Sequence, residues 1–133
     1  MDEDMDLEDA QTAICGLIDD YRASISNTYF TYDGHEWACD QVSKQNVIGA
    51  CVLAIVNGGN LPPGYVWRDE ANVNVPVTGQ MMLMIGVEMF KYLSACYQAS
   101  WIHKGNVQAL TDVPSVLAYD YMSTLWPSPD VQL

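Results

Sequence analysis

Basic residues are scarce: 5 Lys and Arg stand against 17 Asp and Glu in 133 residues, a formal net charge of −12. Arg22, Lys44, Arg68, Lys91 and Lys104 are scattered singly along the chain. Nucleic acids are bound by clustered cations that displace phosphate counterions, and no such cluster exists, which argues against DNA or RNA as a partner. The same shortage disfavours an anionic membrane surface. No basic n-region opens the chain, so no secretory signal is expected. The most apolar stretch, Met81 to Ile102, is interrupted by Glu88, Lys91 and Gln98, which makes a membrane span a poor reading. The expectation is a protein made in a cytoplasm, with no membrane partner.

Chemistry-bearing groups are equally sparse. The four cysteines, Cys15, Cys39, Cys51 and Cys96, contain no CxxC pair and lie mostly among apolar neighbours, so they read as small buried hydrophobes. The only two histidines are His35 and His103. His35 and Cys39 would share a strand face but stand roughly 13 Å apart at ~3.3 Å per residue, too far for one ion. His103 falls where a helix is expected to end, and an imidazolium there would complement the dipole. Ser100 precedes it by one turn, without a third orienting group for a triad. Asp19 and Asp20 are adjacent on a helix and point apart, unlike a catalytic carboxylate pair. Gly58-Gly59 lacks the Lys and Ser/Thr of a phosphate loop. No catalytic, cofactor-binding or metal-ligating residue is assigned, and the expectation is a protein that is not an enzyme.

What is present is hydrophobic patterning: half of the residues are apolar, enough for one folded domain. Six carboxylates fall within residues 1–9 (Asp2, Glu3, Asp4, Asp6, Glu8 and Asp9) and lead into Leu7, Ala10, Ile14, Leu17 and Tyr21, spaced 3-4-3-4. That predicts an amphipathic helix with acids at its positive end. Its stripe packs either on its own domain or on a partner. Tyr29-Phe30-Thr31-Tyr32, Asp33-Gly34 and His35 to Cys39 predict a hairpin. Ser43 is expected to cap a helix from Lys44 to Val56, whose unbroken apolar run from Val47 implies burial on most sides. Its β-branched content would also suit a strand, but Asn57-Gly58-Gly59 is a helix stop. Tyr65 to Arg68 and Val73 to Val77 predict a second hairpin, with Pro76 at a strand end. Trp67 is expected to pack between that hairpin and the next helix. Thr78 is expected to cap the longest helix, Gly79 to His103, which carries four of the seven methionines. A short helix from Pro114 to Leu125 and a docked apolar tail with Trp126 and Leu133 complete the chain.

The fold class is thus α+β: mainly helical, with two short β-hairpins packed on a long central helix and an N-terminal amphipathic helix before them. The expected divisions are residues 1–28, 29–105 and 106–133.

Several residues carry a family resemblance: Tyr32-Asp33-Gly34-His35, then Asp40, Ser43, Gln45 and Asn46, then Trp67-Arg68-Asp69, Asn72 and Val77-Thr78. Over about residues 29–104 the chain resembles a domain of unknown function carried by tail-fibre and tail-associated proteins of tailed bacteriophages. The resemblance implies a virion component or an assembly factor and brings no catalytic residues. In such proteins the domain often follows a longer fibre region, whereas only some 28 residues precede it here, which favours a compact accessory subunit. The expected function is a structural or accessory subunit of a phage tail, at the baseplate or fibre attachment. The alternatives are a fibre-assembly chaperone absent from the virion and a host-directed acidic mimic. Partners would be other tail or fibre proteins and further copies of the chain, with a trimer favoured by fibre symmetry. Leu7, Ile14, Leu17, Tyr21 and Trp126 are the candidate protein-binding residues, with no cofactor.

Overall fold

The computed structural model describes residues 5–130. Eight elements follow in order: α1 (Leu7–Ser26), β1 (Tyr29–Tyr32), β2 (His35–Ala38), α2 (Gln41–Val56), β3 (Val66–Arg68), β4 (Asn74–Pro76), α3 (Gly79–Ala109) and α4 (Val113–Leu117). The strands form two separate antiparallel pairs, β1–β2 and β3–β4. The architecture is α+β and mainly helical, as the sequence patterning implies. The chain divides into two compact units: Met1–Ile25 with Ala95–Pro127, and Ser26–Ser94 with Ser128–Leu133. The ends expected to flank a middle domain therefore share a unit with the second half of α3.

In the first unit, Ala10, Ile14 and Ile18 of α1 are buried with Val107 and Val116. The 3-4 stripe thus finds its cover within the chain. Asp6 caps α1 by accepting the Asp9 N–H at 2.7 Å. Asp2, Glu3, Asp4 and Leu133 lie outside the described residues. Gln11 reaches the other end of the sequence, where its amide donates to the carbonyls of Val107, Gln108 and Leu110 at 3.1–3.3 Å. Val107 and Gln108 stand in the last turn of α3 and Leu110 just past its end, where a helix leaves carbonyls short of intrahelical donors. This is why α3 continues beyond Lys104-Gly105, where the sequence suggested a stop. A mid-helix glycine costs about 1 kcal/mol, and complete burial of Val107 two residues later offsets it.

His103 therefore lies within α3 rather than closing it, and it is only 1% exposed. Its Nε2–H donates to the Thr124 carbonyl at 2.8 Å, and Nδ1 lies 2.8 Å from the Tyr119 hydroxyl. Trp126 stacks on the imidazole at 5.3 Å and 21°, and its indole N–H donates to the Tyr121 carbonyl. The final helix is only Val113–Leu117, started by Asp112, whose carboxylate accepts from the backbone and hydroxyl of Ser115. From Ala118 to Trp126 the chain is held by His103 and the aromatic contacts rather than by a helix reaching Leu125.

The second unit contains both hairpins. Asp33 and Gly34 have φ of 52° and 76°. Two consecutive positive values are what a two-residue type I′ turn requires, so Asp-Gly sets the β1–β2 register. Tyr29 pairs with Ala38 and Tyr32 with His35. Phe30 and Trp37 are buried, and the indole N–H of Trp37 donates to the Tyr32 carbonyl. Trp67 differs from its expected packing: it is half-buried and stacks on Tyr65 at 6.3 Å.

α2 begins three residues before the expected start. Asp40 holds the N-cap with an extended backbone, and its side chain makes no capping hydrogen bond. Ser43 therefore lies inside the helix. Asn57-Gly58-Gly59 does end it, with the Gly59 N–H returning to the Ala54 carbonyl at 2.7 Å. Thr78 caps α3 by accepting the Met81 N–H. Gly79 begins α3 at a close approach, since a Cβ built there would lie 2.0 Å from the Gly59 carbonyl oxygen.

Candidate protein-binding surface

α2 differs most from its sequence expectation. Only Val47, Ala50 and Ala54 of this helix are buried. Ile48, Val52, Leu53, Ile55 and Val56 face outward, Val56 at 76% exposure. From Val47 to Val56 the sequence holds no polar side chain. A fully apolar helix has no period that says which side is covered, so its sequence implies burial on most sides.

Within the same unit, α3 comes close to α2 at Gly86, where a Cβ would meet the Cys51 Sγ at 2.7 Å. The Cys51 thiol lies 3.4 Å from the Met82 carbonyl, to which it donates. Gly86 and Cys51 are both among the residues lining a groove of about 490 Å³. Val47, Cys51 and Gly86 line its middle, Ile48 and Val52 the α2 side, and Leu83, Val87 and Phe90 the α3 side. Phe90 is 69% exposed. Lys44 and Lys91 stand among the lining residues, two of the five cations in the chain. Lys91 bonds Glu88 at 3.1 Å, and Lys44 donates to the Asn27 side chain at 2.8 Å. Burial pushes the Cys51 thiol above its ordinary range, which keeps it protonated and a poor nucleophile.

The hairpins carry a second cluster. Asp69 Oδ1 accepts the N–H groups of Ala71 and Val73 at 2.9 Å, and Oδ2 lies 2.8 Å from His35 Nδ1. The Glu70 N–H donates to the Glu36 carbonyl at 2.9 Å, so the β3–β4 turn is bonded to β2 twice. These bonds, led by that from Val73 and then the His35 partner, hold the Asp69 carboxyl below the usual carboxylate range. Asn72 takes φ 61° inside this turn, which its short polar side chain tolerates. The residues His35, Asp69 and Asn72 thus work as a structural clasp. Nearby, the Tyr29 hydroxyl donates to Asp130, which pushes its pKa up to about 12.

The sequence-expected binding residues occupy different settings. Ile14 is buried, and Leu7 and Trp126 pack half-buried against the same core. Tyr21 meets Trp126 and Tyr121 edge-on at 5.0 and 6.3 Å. Leu17 alone of the five is substantially exposed. In the first unit, Tyr97 and Trp101 are also exposed, with the Arg22 guanidinium 4.3 Å from the Tyr97 ring centroid. Sequence reasoning missed the α2–α3 face because exposure is invisible in an all-apolar run. The usable signal was Gly86 among large side chains, which marks where α3 approaches α2 closely.

Side chains named as possible chemistry are engaged elsewhere. Cys39 donates to the Ser26 carbonyl, and Ser100 donates to the Tyr97 carbonyl. Among the described residues no group of three His, Cys, Asp or Glu is placed to hold a metal ion, and no helix is long and apolar enough to cross a membrane.

Residues 9–122 match the family model described as Domain of unknown function (DUF4376). The chain belongs to that family, and the match extends on both sides of the segment that carried the resemblance. No curated protein and no solved structure matches it.

Proposed function

We propose that this chain is a structural or accessory subunit of a bacteriophage tail, at the baseplate or fibre attachment, and that it acts by binding proteins rather than by catalysis. The observation that carries the binding part is the outward apolar face of α2 with Val87 and Phe90 of α3. Contiguous apolar patches beyond a few hundred Å² are rare on monomers and mark association surfaces. The tail assignment rests on the resemblance of the hairpin and helix-start residues to the domain of tail-fibre and tail-associated phage proteins. On this reading the chain is made in the host cytoplasm and carried in the virion, with other tail proteins as partners.

The same open groove would also suit an assembly chaperone that holds an apolar client and leaves before the particle is finished. Quantitative mass spectrometry of gradient-purified virions separates the two. The subunit reading expects this chain at a fixed ratio to the other tail proteins. Its presence in infected lysate and absence from particles would sink that reading in favour of the chaperone.

A further inference from the structure

We infer that the α2–α3 face pairs with the same face of a second copy of this chain, completing a four-helix arrangement about a two-fold axis. The inference rests on the protein-binding reading of that face and names its occupant.

Three observations select a second copy. The first is composition. Interfaces between non-identical, separable partners are about as polar as ordinary surface, whereas homodimer interfaces are more apolar and poor in charge. The α2 portion from Val47 to Val56 carries no polar side chain at all.

The second is spacing. Ile48, Val52 and Ile55 follow one another at 4 and 3 residues along α2, and Leu83, Val87 and Phe90 do so along α3. Apolar residues at this spacing form the ridges that interlock between helices in bundles. Ile48 and Val52 of the first series and all three residues of the second line one groove, beside the close contact of Gly86 with Cys51. A helix pair with an unfilled seam is half of a four-helix bundle, and an identical pair supplies ridges of matching pitch.

The third is charge. Copies of a chain at −12 repel, so a pairing face must keep carboxylates out of the contact. No Asp or Glu is among the lining residues, and Glu88, next to Val87, is buried and bonded to Lys91. An acidic or basic partner protein would instead be selected by a charged rim, and this groove offers only Lys44 and Lys91, both already bonded.

The two-fold form follows because one continuous face serves both copies, as isologous pairs require. It departs from the trimer suggested by fibre symmetry.

Sedimentation equilibrium of the full chain is the test, run on wild type, Val52→Glu, Phe90→Glu and the hairpin control Val73→Glu. Wild type and Val73→Glu should sediment at twice the chain mass. The two face variants should weaken pairing at least tenfold, with helical circular dichroism unchanged because both positions are exposed within one chain. A wild-type mass of one chain overturns the inference and leaves the face to another tail protein. A three-chain mass overturns the two-fold form, and a dimer indifferent to both face substitutions places its contact elsewhere. Virion mass spectrometry is unaffected by these outcomes, so failure of self-pairing and failure of the tail-subunit reading are read separately.

Discussion

The two hairpin tryptophans have unlike surroundings. Trp37 is 1% exposed and its indole N–H is bonded to Tyr32, whereas Trp67 is half-buried against Tyr65. Trp37→Ala should cost about 3–5 kcal/mol, as complete loss of a buried aromatic does. Trp67→Ala should cost roughly 1–2 kcal/mol, because water already reaches part of the ring. Chemical denaturation of the two variants measures both, and equal losses would contradict this ranking. Asp69 supplies a pH dependence of definite sign. Its carboxyl titrates lower in the folded chain than in the unfolded one, so on acidification the unfolded chain takes up the proton first. The contribution is complete above the ordinary aspartate range, near pH 4, and is lost as pH falls through the lowered folded value. Asp112 and Asp120 act in the same direction, through bonds from Ser115 and Ser123. Stability followed by thermal melts should therefore drop in acid. Asp69→Asn should show a shallower drop, since an amide oxygen still accepts from Ala71 and Val73 but no longer titrates.

Elements were legible in the sequence where a local rule had no competitor. Asp33-Gly34 fixed its hairpin because two positive φ values are demanded at adjacent positions, and Thr78 capped α3 as its hydroxyl suggested. Boundaries set by distant residues were not legible. The end of α3 depends on Gln11, almost a hundred positions earlier, whereas the start of α2 was missed because its neighbour Asp40 caps without a side-chain bond. The exposure of α2 was hidden for a different reason, since an all-apolar helix carries no polar face to orient it. Of the residues that carried the resemblance, Asp33-Gly34, Asn72 and Thr78 take turn or cap positions and Ser43 lies inside α2, while His35 and Asp69 are joined in the clasp. Gly79 tests the joint between α2 and α3 in the second unit. Gly79→Ala forces its methyl against the Gly59 carbonyl, and overpacking of this kind costs about 1–3 kcal/mol. Its unfolding midpoint should fall accordingly, while Gly49→Ala, where a Cβ meets nothing within 4 Å, should not lose stability.

At the scale of the molecule, a net charge of −12 sets a background of self-repulsion. Raising ionic strength toward 0.15 M shortens the Debye length to about 8 Å and should raise the melting temperature. A melting temperature independent of salt would mean that the acids are already locally compensated. The first unit is drawn from both ends of the chain, and this discontinuity has a consequence during synthesis. The apolar face of Ala10, Ile14 and Ile18 emerges from the ribosome early, yet Val107 and Val116, which cover it, are not yet made. At about 5–20 residues per second, that interval lasts roughly 5–20 s. Throughout it the α1 segment lacks the cover of Val107 and Val116 and is open to whichever apolar surface it meets first. A nascent chain stalled before Val107 should therefore recruit chaperones at α1, and release past Val116 should dismiss them.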